Sequence, residues 1–310
     1  MPLDPQAKEI LELTTKANLP PTNTLSPAQA RYNSRLRKPM EGPPEIKATD
    51  ILVRGKDGLL TARTYTPQGV GPFPVLIWFH GGGWVVGDLD GTDGTARELA
   101  AYANCLVVSI DYRLAPETKF PGPVEDCYEA TAWIADNADK IHGDSEKIAV
   151  GGASAGGNLA AAVSLMARDR GRPSIIFQLL VYPVTDRNLA TESYQNNAEG
   201  YGLTRDTMDW YWSHYLRDDG DATNPYAAPL QAKDLSLLPA AMVIAAEFDP
   251  LCTEAELYAN AMEAAGVPTE YICYDGMIHG FFGMTPTVDK AKLAMEDARS
   301  SLREVFDNKS

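Results

Sequence analysis

The chain has 310 residues, of which 42 are acidic and 27 are basic, so its formal net charge at pH 7 is −15. Such an acidic surface repels phosphate backbones and anionic lipid headgroups, and we expect neither a nucleic acid nor a membrane as a partner. A hydrophobic content of 45% in a chain of this length is enough to bury one large core.

The sequence shows no sign of export or of a bound cofactor. It does not open with a basic segment followed by an apolar one, and no apolar run approaches the length of a membrane span. The four cysteines lack the spacing of a metal site, so we expect reduced thiols. These features predict a cytoplasmic protein without a cofactor or a metal ion.

The elements follow one another in a regular order after an irregular N-terminal part. Residues 1–45 predict a helix and then a proline-rich polar passage. The predicted strands lie near 48–54, 59–66, 74–79, 105–110, 147–151, 175–181, 240–246 and 269–274. The predicted helices lie near 92–103, 122–138, 155–169, 254–265 and 288–306. This alternation is typical of an α/β protein with a mostly parallel eight-stranded sheet.

A glycine-rich loop, His80-Gly81-Gly82-Gly83-Trp84, directly follows the third predicted strand. Consecutive glycines let the backbone turn its N–H groups toward a developing negative charge, and Gly82 and Gly83 are the candidate donors. A flexible loop and a phosphate-binding loop are the alternatives. A phosphate loop needs a lysine or a second spaced glycine at the start of a helix, and neither is present.

The fifth predicted strand leads into Gly152-Ala153-Ser154-Ala155-Gly156, and a helical pattern follows. This is the strand, turn and helix context of a nucleophile elbow, in which a sharp turn exposes the serine hydroxyl. The two glycines would be needed where a Cβ would clash. The N–H of Ala155 is then a third candidate donor to an oxyanion. Without its partners, the pentapeptide could equally be an ordinary glycine-serine turn.

An acid and a base are expected after the seventh and eighth strands. Asp249 follows the seventh strand and could orient a histidine, although a helix N-cap is the alternative. Among four histidines, His80 is expected to brace its loop, His142 lies in a polar turn, and His214 lies among aromatic residues. His279 is therefore the candidate base, because histidine exchanges protons near neutral pH. A solvated loop histidine is the alternative.

The order serine, aspartate, histidine along the chain is the one that α/β-hydrolases use. The chain resembles the hormone-sensitive-lipase-like branch of that superfamily, the bacterial family IV carboxylesterases, from about Ile46 to its C-terminus. Five motifs carry the resemblance: His80 to Trp84, Asp111-Tyr112-Arg113-Leu114-Ala115-Pro116-Glu117, Ser154-Ala155-Gly156-Gly157-Asn158, Asp249-Pro250-Leu251 and His279-Gly280-Phe281. The resemblance implies an α/β-hydrolase fold with nucleophile Ser154, acid Asp249, base His279 and oxyanion donors Gly82, Gly83 and Ala155.

The resemblance also implies a helical cap formed by residues 1–45 and 186–224, over a catalytic core formed by 46–185 and 225–310. The aromatic residues of the second cap segment could instead pack into the core as an ordinary surface helix. Relatives often dimerise through a sheet edge, so a homodimer is allowed. Two departures from the family pattern are Ala153, where Asp, Glu or Thr is common, and Cys252-Thr253, where an Arg-Asp pair often follows the acid.

Together these features predict a serine carboxylesterase that hydrolyses small-molecule esters of short to medium acyl chain through an acyl-enzyme intermediate. An amide or formamide hydrolase could use the same triad. A dedicated lipase is disfavoured because no long apolar lid is evident, and a non-catalytic ligand-binding homologue because His279 is retained. Cys252, close to the acid, is a candidate site for thiol reagents.

Overall fold

Eight strands form one sheet in the computed structural model, which describes residues 2–36 and 40–308. The strands are β1 Lys47–Arg54, β2 Leu59–Thr66, β3 Phe73–Phe79, β4 Leu106–Ile110, β5 Gly143–Ala153, β6 Phe177–Val181, β7 Ala240–Phe248 and β8 Thr269–Ile278. Their order in the sheet is β1-β2-β4-β3-β5-β6-β7-β8, and only β1 with β2 and β2 with β4 pair antiparallel. The predicted mostly parallel sheet of eight strands is confirmed.

Nine α-helices accompany the sheet in the described part of the chain. They are α1 Pro5–Lys16, α2 Pro27–Arg35, α3 Asp93–Ala103, α4 Gly122–Asp136, α5 Ala155–Arg170, α6 Glu192–Asn196, α7 Arg205–Tyr215, α8 Cys252–Ala264 and α9 Asp289–Asp307. In these described residues, no helix combines the length and the apolar character that crossing a bilayer would require.

Two strands are longer than their apolar runs predict, because backbone pairing continues into polar sequence. After a shift in register, β5 begins at Gly143 with a pairing to Phe73. The prediction of a polar turn around His142 is therefore wrong in its extent, because the strand begins at the next residue. At the other side of the sheet, β8 continues past 274 and its Ile278 pairs with Phe248 after a second shift. His279 thus directly follows a strand.

The central strands are buried on both faces, and their side chains alternate between two apolar layers. On β3, Val75, Ile77 and Phe79 belong to one hydrophobic cluster, while Leu76 and Trp78 belong to the other. A parallel sheet covered by helices on both sides requires such continuous apolar strands. The rigid core therefore fixes the ends of β3, β5, β7 and β8, where the candidate site residues begin.

The predicted cap segments contain α1 and α2 at the N-terminus and α6 and α7 between β6 and β7. The prediction for 1–45 includes residues 1 and 37–39, which lie outside the described residues. On α7, Trp212 and Tyr215 are fully buried, and both rings pack on Trp84, with centroids 4.7 and 4.1 Å away. Aromatic side chains of α7 therefore pack into the core, next to the glycine-rich loop.

Candidate active site

Ser154 lies in the turn between β5 and α5, in a strained backbone conformation with φ of 59° and ψ of −119°. Its N–H donates to the carbonyl of Val181 at 2.9 Å, and this bond helps to hold the turn. A Cβ on Gly152 or on Gly156 would overlap the backbone carbonyl oxygen of Phe79. The predicted need for glycine at both positions is therefore confirmed.

The side chains of Ser154, His279 and Asp249 form one hydrogen-bonded series. The Nε2 atom of His279 lies 3.0 Å from Ser154 Oγ, and its Nδ1 atom lies 2.6 Å from Asp249 Oδ2. Since a carboxylate only accepts hydrogen bonds, it favours the imidazole tautomer with hydrogen on Nδ1. The Nε2 atom is then left to accept the hydrogen of the serine hydroxyl.

Asp249 is completely buried, and its second oxygen is also used. Oδ1 accepts the N–H of Leu251 at 2.9 Å. The helix that follows starts at Cys252 with Leu251 as its N-cap residue, and no side chain caps it. The alternative that Asp249 serves as a helix N-cap is therefore wrong, and the carboxylate is held between a loop amide and the imidazole.

The glycine-rich loop lies against the elbow, since a Cβ on Gly81 would be 3.5 Å from the Cβ of Ser154. Gly82 and Gly83 have φ of +117° and +56°, values that favour glycine. Within the described residues, the N–H groups of Gly82, Gly83 and Ala155 donate to no protein acceptor. All three amides are thus available to an oxygen atom bound beside the serine.

His80 is buried and holds this loop, as the sequence predicts. Its Nδ1 lies 2.8 Å from the carbonyl oxygen of Gly81, and its ring stacks on Tyr112 with centroids 4.3 Å apart. The Tyr112 hydroxyl donates to the His80 carbonyl at 2.8 Å. Burial lowers the pKa of His80, so the imidazole stays neutral and donates from Nδ1.

The hydrogen bonds of Arg31 on α2 were not predicted from the sequence. Its Nε donates to the carbonyl of Val85 at 2.8 Å, and its Nη2 donates to the carbonyl of Ala115 at 2.7 Å. The same guanidinium pairs with both oxygens of Glu117. These partners lie 54 to 86 residues away along the chain, so no local signal could reveal them. Arg31 therefore ties an N-terminal helix to Val85, which directly follows the glycine-rich loop, and to the segment 115–117.

The packing of Tyr211 on α7 against Gly83 was also not predicted from the sequence. A Cβ on Gly83 would overlap the ring carbons of Tyr211, so this half-buried ring packs directly against the loop backbone. The aromatic composition of the second cap segment, 186–224, does not indicate which residue Tyr211 contacts. The loop is thus covered from the outside by an aromatic ring.

Glu254 on α8 is a third missed residue, and it is fully buried. Its Oε1 accepts the N–H of Thr185 at 2.7 Å, and the Thr185 hydroxyl donates to the Glu254 carbonyl at 2.9 Å. Burial raises the pKa of this carboxyl well above its usual value, and the charge of Asp249 adds to the effect. Glu254 therefore joins the segment after β6 to the helix that follows the acid.

No group of three or more His, Cys, Asp or Glu side chains in the described part of the chain is arranged to hold a metal ion. The arrangement consists instead of a hydroxyl, an imidazole and a carboxylate in series, with unbonded amides beside the hydroxyl. Such a set can activate an oxygen nucleophile and stabilise a tetrahedral oxyanion.

Comparison with known proteins agrees with this chemistry. The family described as alpha/beta hydrolase fold matches residues 76–283. An arylesterase of Saccharolobus solfataricus is 38% identical over 290 residues, which cover 93% of this chain and 94% of that protein. The carboxylesterase NlhH of Mycobacterium tuberculosis is 38% identical over 308 residues, covering 97% and 95%.

A solved structure is similarly close. The crystal structure of a thermostable esterase from Pseudomonas putida is 34% identical, covers 99% of each chain and superposes with a TM-score of 0.96. Identity of 34–38% over nearly the whole chain agrees with the resemblance that the sequence motifs indicate. The chain therefore belongs to the α/β-hydrolase superfamily, in its hormone-sensitive-lipase-like branch of carboxylesterases.

Proposed function

We propose that this chain is a serine carboxylesterase that hydrolyses small-molecule esters of short to medium acyl chain length. The observation that carries the proposal is the hydrogen-bonded series of Ser154, His279 and Asp249 beside three amides without acceptors. The esterase relatives, which match nearly the whole chain, support the same reaction class.

In the first step, Ser154 Oγ attacks the ester carbonyl carbon and its proton passes to His279 Nε2. The N–H groups of Gly82, Gly83 and Ala155 stabilise the negative oxygen of the tetrahedral intermediate. The imidazolium then protonates the leaving alcohol, and the acyl group stays on Ser154. Water repeats the sequence with His279 as the base and releases the carboxylic acid.

Asp249 acts through His279. Its buried carboxylate holds Nδ1–H, keeps Nε2 directed at the serine and stabilises the positive charge that the ring acquires. The loop amide of Leu251 fixes the other oxygen, so the carboxylate has little freedom to rotate away. Ala153, next to the nucleophile, contributes no side chain that this mechanism needs.

We further propose that residues 1–45 and 186–224 form a cap over a catalytic core of residues 46–185 and 225–310. Two contacts support the division: Arg31 bonds to Val85, just after the glycine-rich loop, from one segment, and Tyr211 packs on Gly83 from the other. An aromatic ring this close to the amides leaves limited room beside the reacting carbonyl. This supports the expectation that short and medium acyl chains are preferred.

The test is a hydrolysis panel of p-nitrophenyl esters from acetyl to palmitoyl, run on the native enzyme and on Ser154→Ala. We expect turnover to fall toward the long chains, and Ser154→Ala to lose several orders of magnitude in kcat without unfolding. A matched amide measured in parallel separates ester from amide hydrolysis. Near-native esterase activity of Ser154→Ala would contradict the proposal.

The proposal extends to location and assembly. A cytoplasmic location is supported by Cys105, Cys127, Cys252 and Cys273, all of which are free thiols, as a reducing compartment maintains. A homodimer is supported by the position of β8 at the sheet edge, where a second copy could pair. Light scattering of the purified protein determines the number of copies.

A further inference from the structure

Two thiols face each other beside the segment that carries the acid. Cys252 is the first residue of α8 and Cys273 lies in β8, and their Sγ atoms are 3.7 Å apart. Both are free and partly exposed to solvent. The pair is separated by 21 residues in sequence, and the proposed mechanism uses neither sulfur.

The fold itself brings the pair together. Cys273 is paired with Ala245 of β7, and the chain leaves β7 at Phe248 to return as α8 against both strands. Cys252 and Cys273 both pack at the border of the same hydrophobic cluster. A disulfide requires a sulfur separation of about 2.05 Å, so the two side chains must together close a gap of about 1.7 Å, within reach of small χ1 rotations.

The environment distinguishes this pair from the other two cysteines. The Cys252 thiol is directed at Cys273, and this contact lowers the pKa of the Cys273 thiol. Cys105 and Cys127 are fully buried, and burial raises the pKa of Cys105 to about 12. Because the thiolate is the reactive form, Cys273 is the cysteine best placed to react first.

We propose that Cys252 and Cys273 form a reversible intramolecular disulfide when the protein meets a two-electron oxidant of the peroxide class. The thiolate sulfur of Cys273 attacks one oxygen of hydrogen peroxide, so that an S–O bond forms and the O–O bond breaks. Cys273 becomes a sulfenic acid, and the second peroxide oxygen leaves as hydroxide and takes up the thiol proton to give water. The sulfur of Cys252 then attacks this sulfenic acid, the S–S bond forms, and a second water departs with the remaining thiol hydrogen. A dithiol reductant reverses the step.

The disulfide would link the two elements that hold the acid and the base in place. The N–H of Cys252 donates to the Asp249 carbonyl at 3.1 Å, and Cys273 lies on the strand that ends just before His279. Closing the loop between the two cysteines restricts the unfolded chain and raises the midpoint of thermal unfolding by about 5 °C. The hydrogen-bond partners of the two sulfurs are Tyr271 and each other rather than a side chain of the proposed triad, so kcat should stay within about twofold.

The experiment treats the reduced full-length protein with hydrogen peroxide and measures intact mass, free thiols and thermal unfolding. We expect loss of two thiol hydrogens, a linked peptide pair containing Cys252 and Cys273, and the higher unfolding midpoint, all reversed by dithiothreitol. Cys252→Ser and Cys273→Ser should each abolish the peptide link and the rise in midpoint. Cys105→Ala, a buried thiol outside the pair, should retain both.

Three results would overturn the proposal: both thiols still alkylate after peroxide treatment, the linkage joins two chains, or the oxidised protein melts no higher than the reduced one. Should one serine variant fail to fold, the other and the linked peptide of the native protein still decide the question. These measurements do not use ester hydrolysis. Failure of the proposed esterase function would therefore leave them unaffected.

Discussion

Gly83→Ala tests whether the glycine-rich loop must keep its backbone in place under the ring of Tyr211. The added Cβ would lie at least about 1 Å closer to three carbons of that ring than carbon atoms pack in proteins. The φ of +56° adds a conformational cost of about 1–2 kcal/mol for a residue with a side chain. Either the ring or the loop has to move.

If the loop moves, the amide of residue 83 leaves its position beside the serine. Loss of one oxyanion donor costs about 10²–10³ in kcat, and we expect a loss of that size on p-nitrophenyl acetate with little change in KM. Tyr211→Ala removes the obstructing ring, so adding Gly83→Ala in that background should cost less than about tenfold. Gly91→Ala, where the nearest atom is 3.5 Å away, is the matched control.

The reasoning would be refuted by a Gly83→Ala enzyme that retains kcat within about threefold of the native value. It would equally be refuted by a loss that stays the same after Tyr211 is truncated. In the first case the loop tolerates a side chain at this position. In the second, the cost arises from the backbone conformation alone and the contact with α7 has no part in it.

Three further substitutions test contacts that support the site. Arg31→Ala removes the donors to the carbonyls of Val85, which follows the glycine-rich loop, and Ala115. It should lower kcat by about tenfold with a small loss of stability, measured by steady-state kinetics. Asp126→Ala removes the buried carboxylate that accepts from Arg113 and from the N–H of Lys56, while Arg113 keeps Asp57, and should cost about 2 kcal/mol in urea unfolding at unchanged kcat. Since the folded pKa of Glu254 is raised, native stability falls as pH increases from 4.5 toward that pKa, and Glu254→Gln should flatten this slope in thermal melts from pH 5 to 8.

Each of these expectations can fail in a distinct way. An unchanged kcat in Arg31→Ala would mean that α2 does not hold the loop during turnover. A stability loss below about 1 kcal/mol for Asp126→Ala would mean that water replaces the carboxylate. Parallel stability curves for native protein and Glu254→Gln would mean that the buried carboxyl does not take up a proton on folding.

The sheet could be predicted from sequence because buried parallel strands are continuous apolar runs. Leu106–Ile110 and Phe177–Val181 are buried at every position and were found within two residues at each end. The ends of β5 and β8 were missed because pairing there resumes after a shift in register, and polar residues such as Asp144 lie inside the strand between the two paired parts.

The candidate site was predictable to the extent that its residues follow strands. Ser154, Asp249 and His279 each come directly after a strand. Because the carboxyl ends of parallel strands lie at one edge of the sheet, the three residues were expected close together there. Contacts between distant segments were not predictable, because nothing near Arg31 or Tyr211 in sequence identifies the loop that each one meets. The approach of two cysteines likewise depends on the return path of α8.

The stacking of Trp84 on Tyr215 restricts how substrate can reach the serine. Trp84 immediately follows Gly83, so lifting α7 as a unit would pull on the loop that carries the proposed oxyanion donors. Wide opening of this helix would thus dismantle the catalytic pocket at each turnover. Diffusion through a gap opened by rotating peripheral side chains avoids that penalty, and such rotations are complete within nanoseconds.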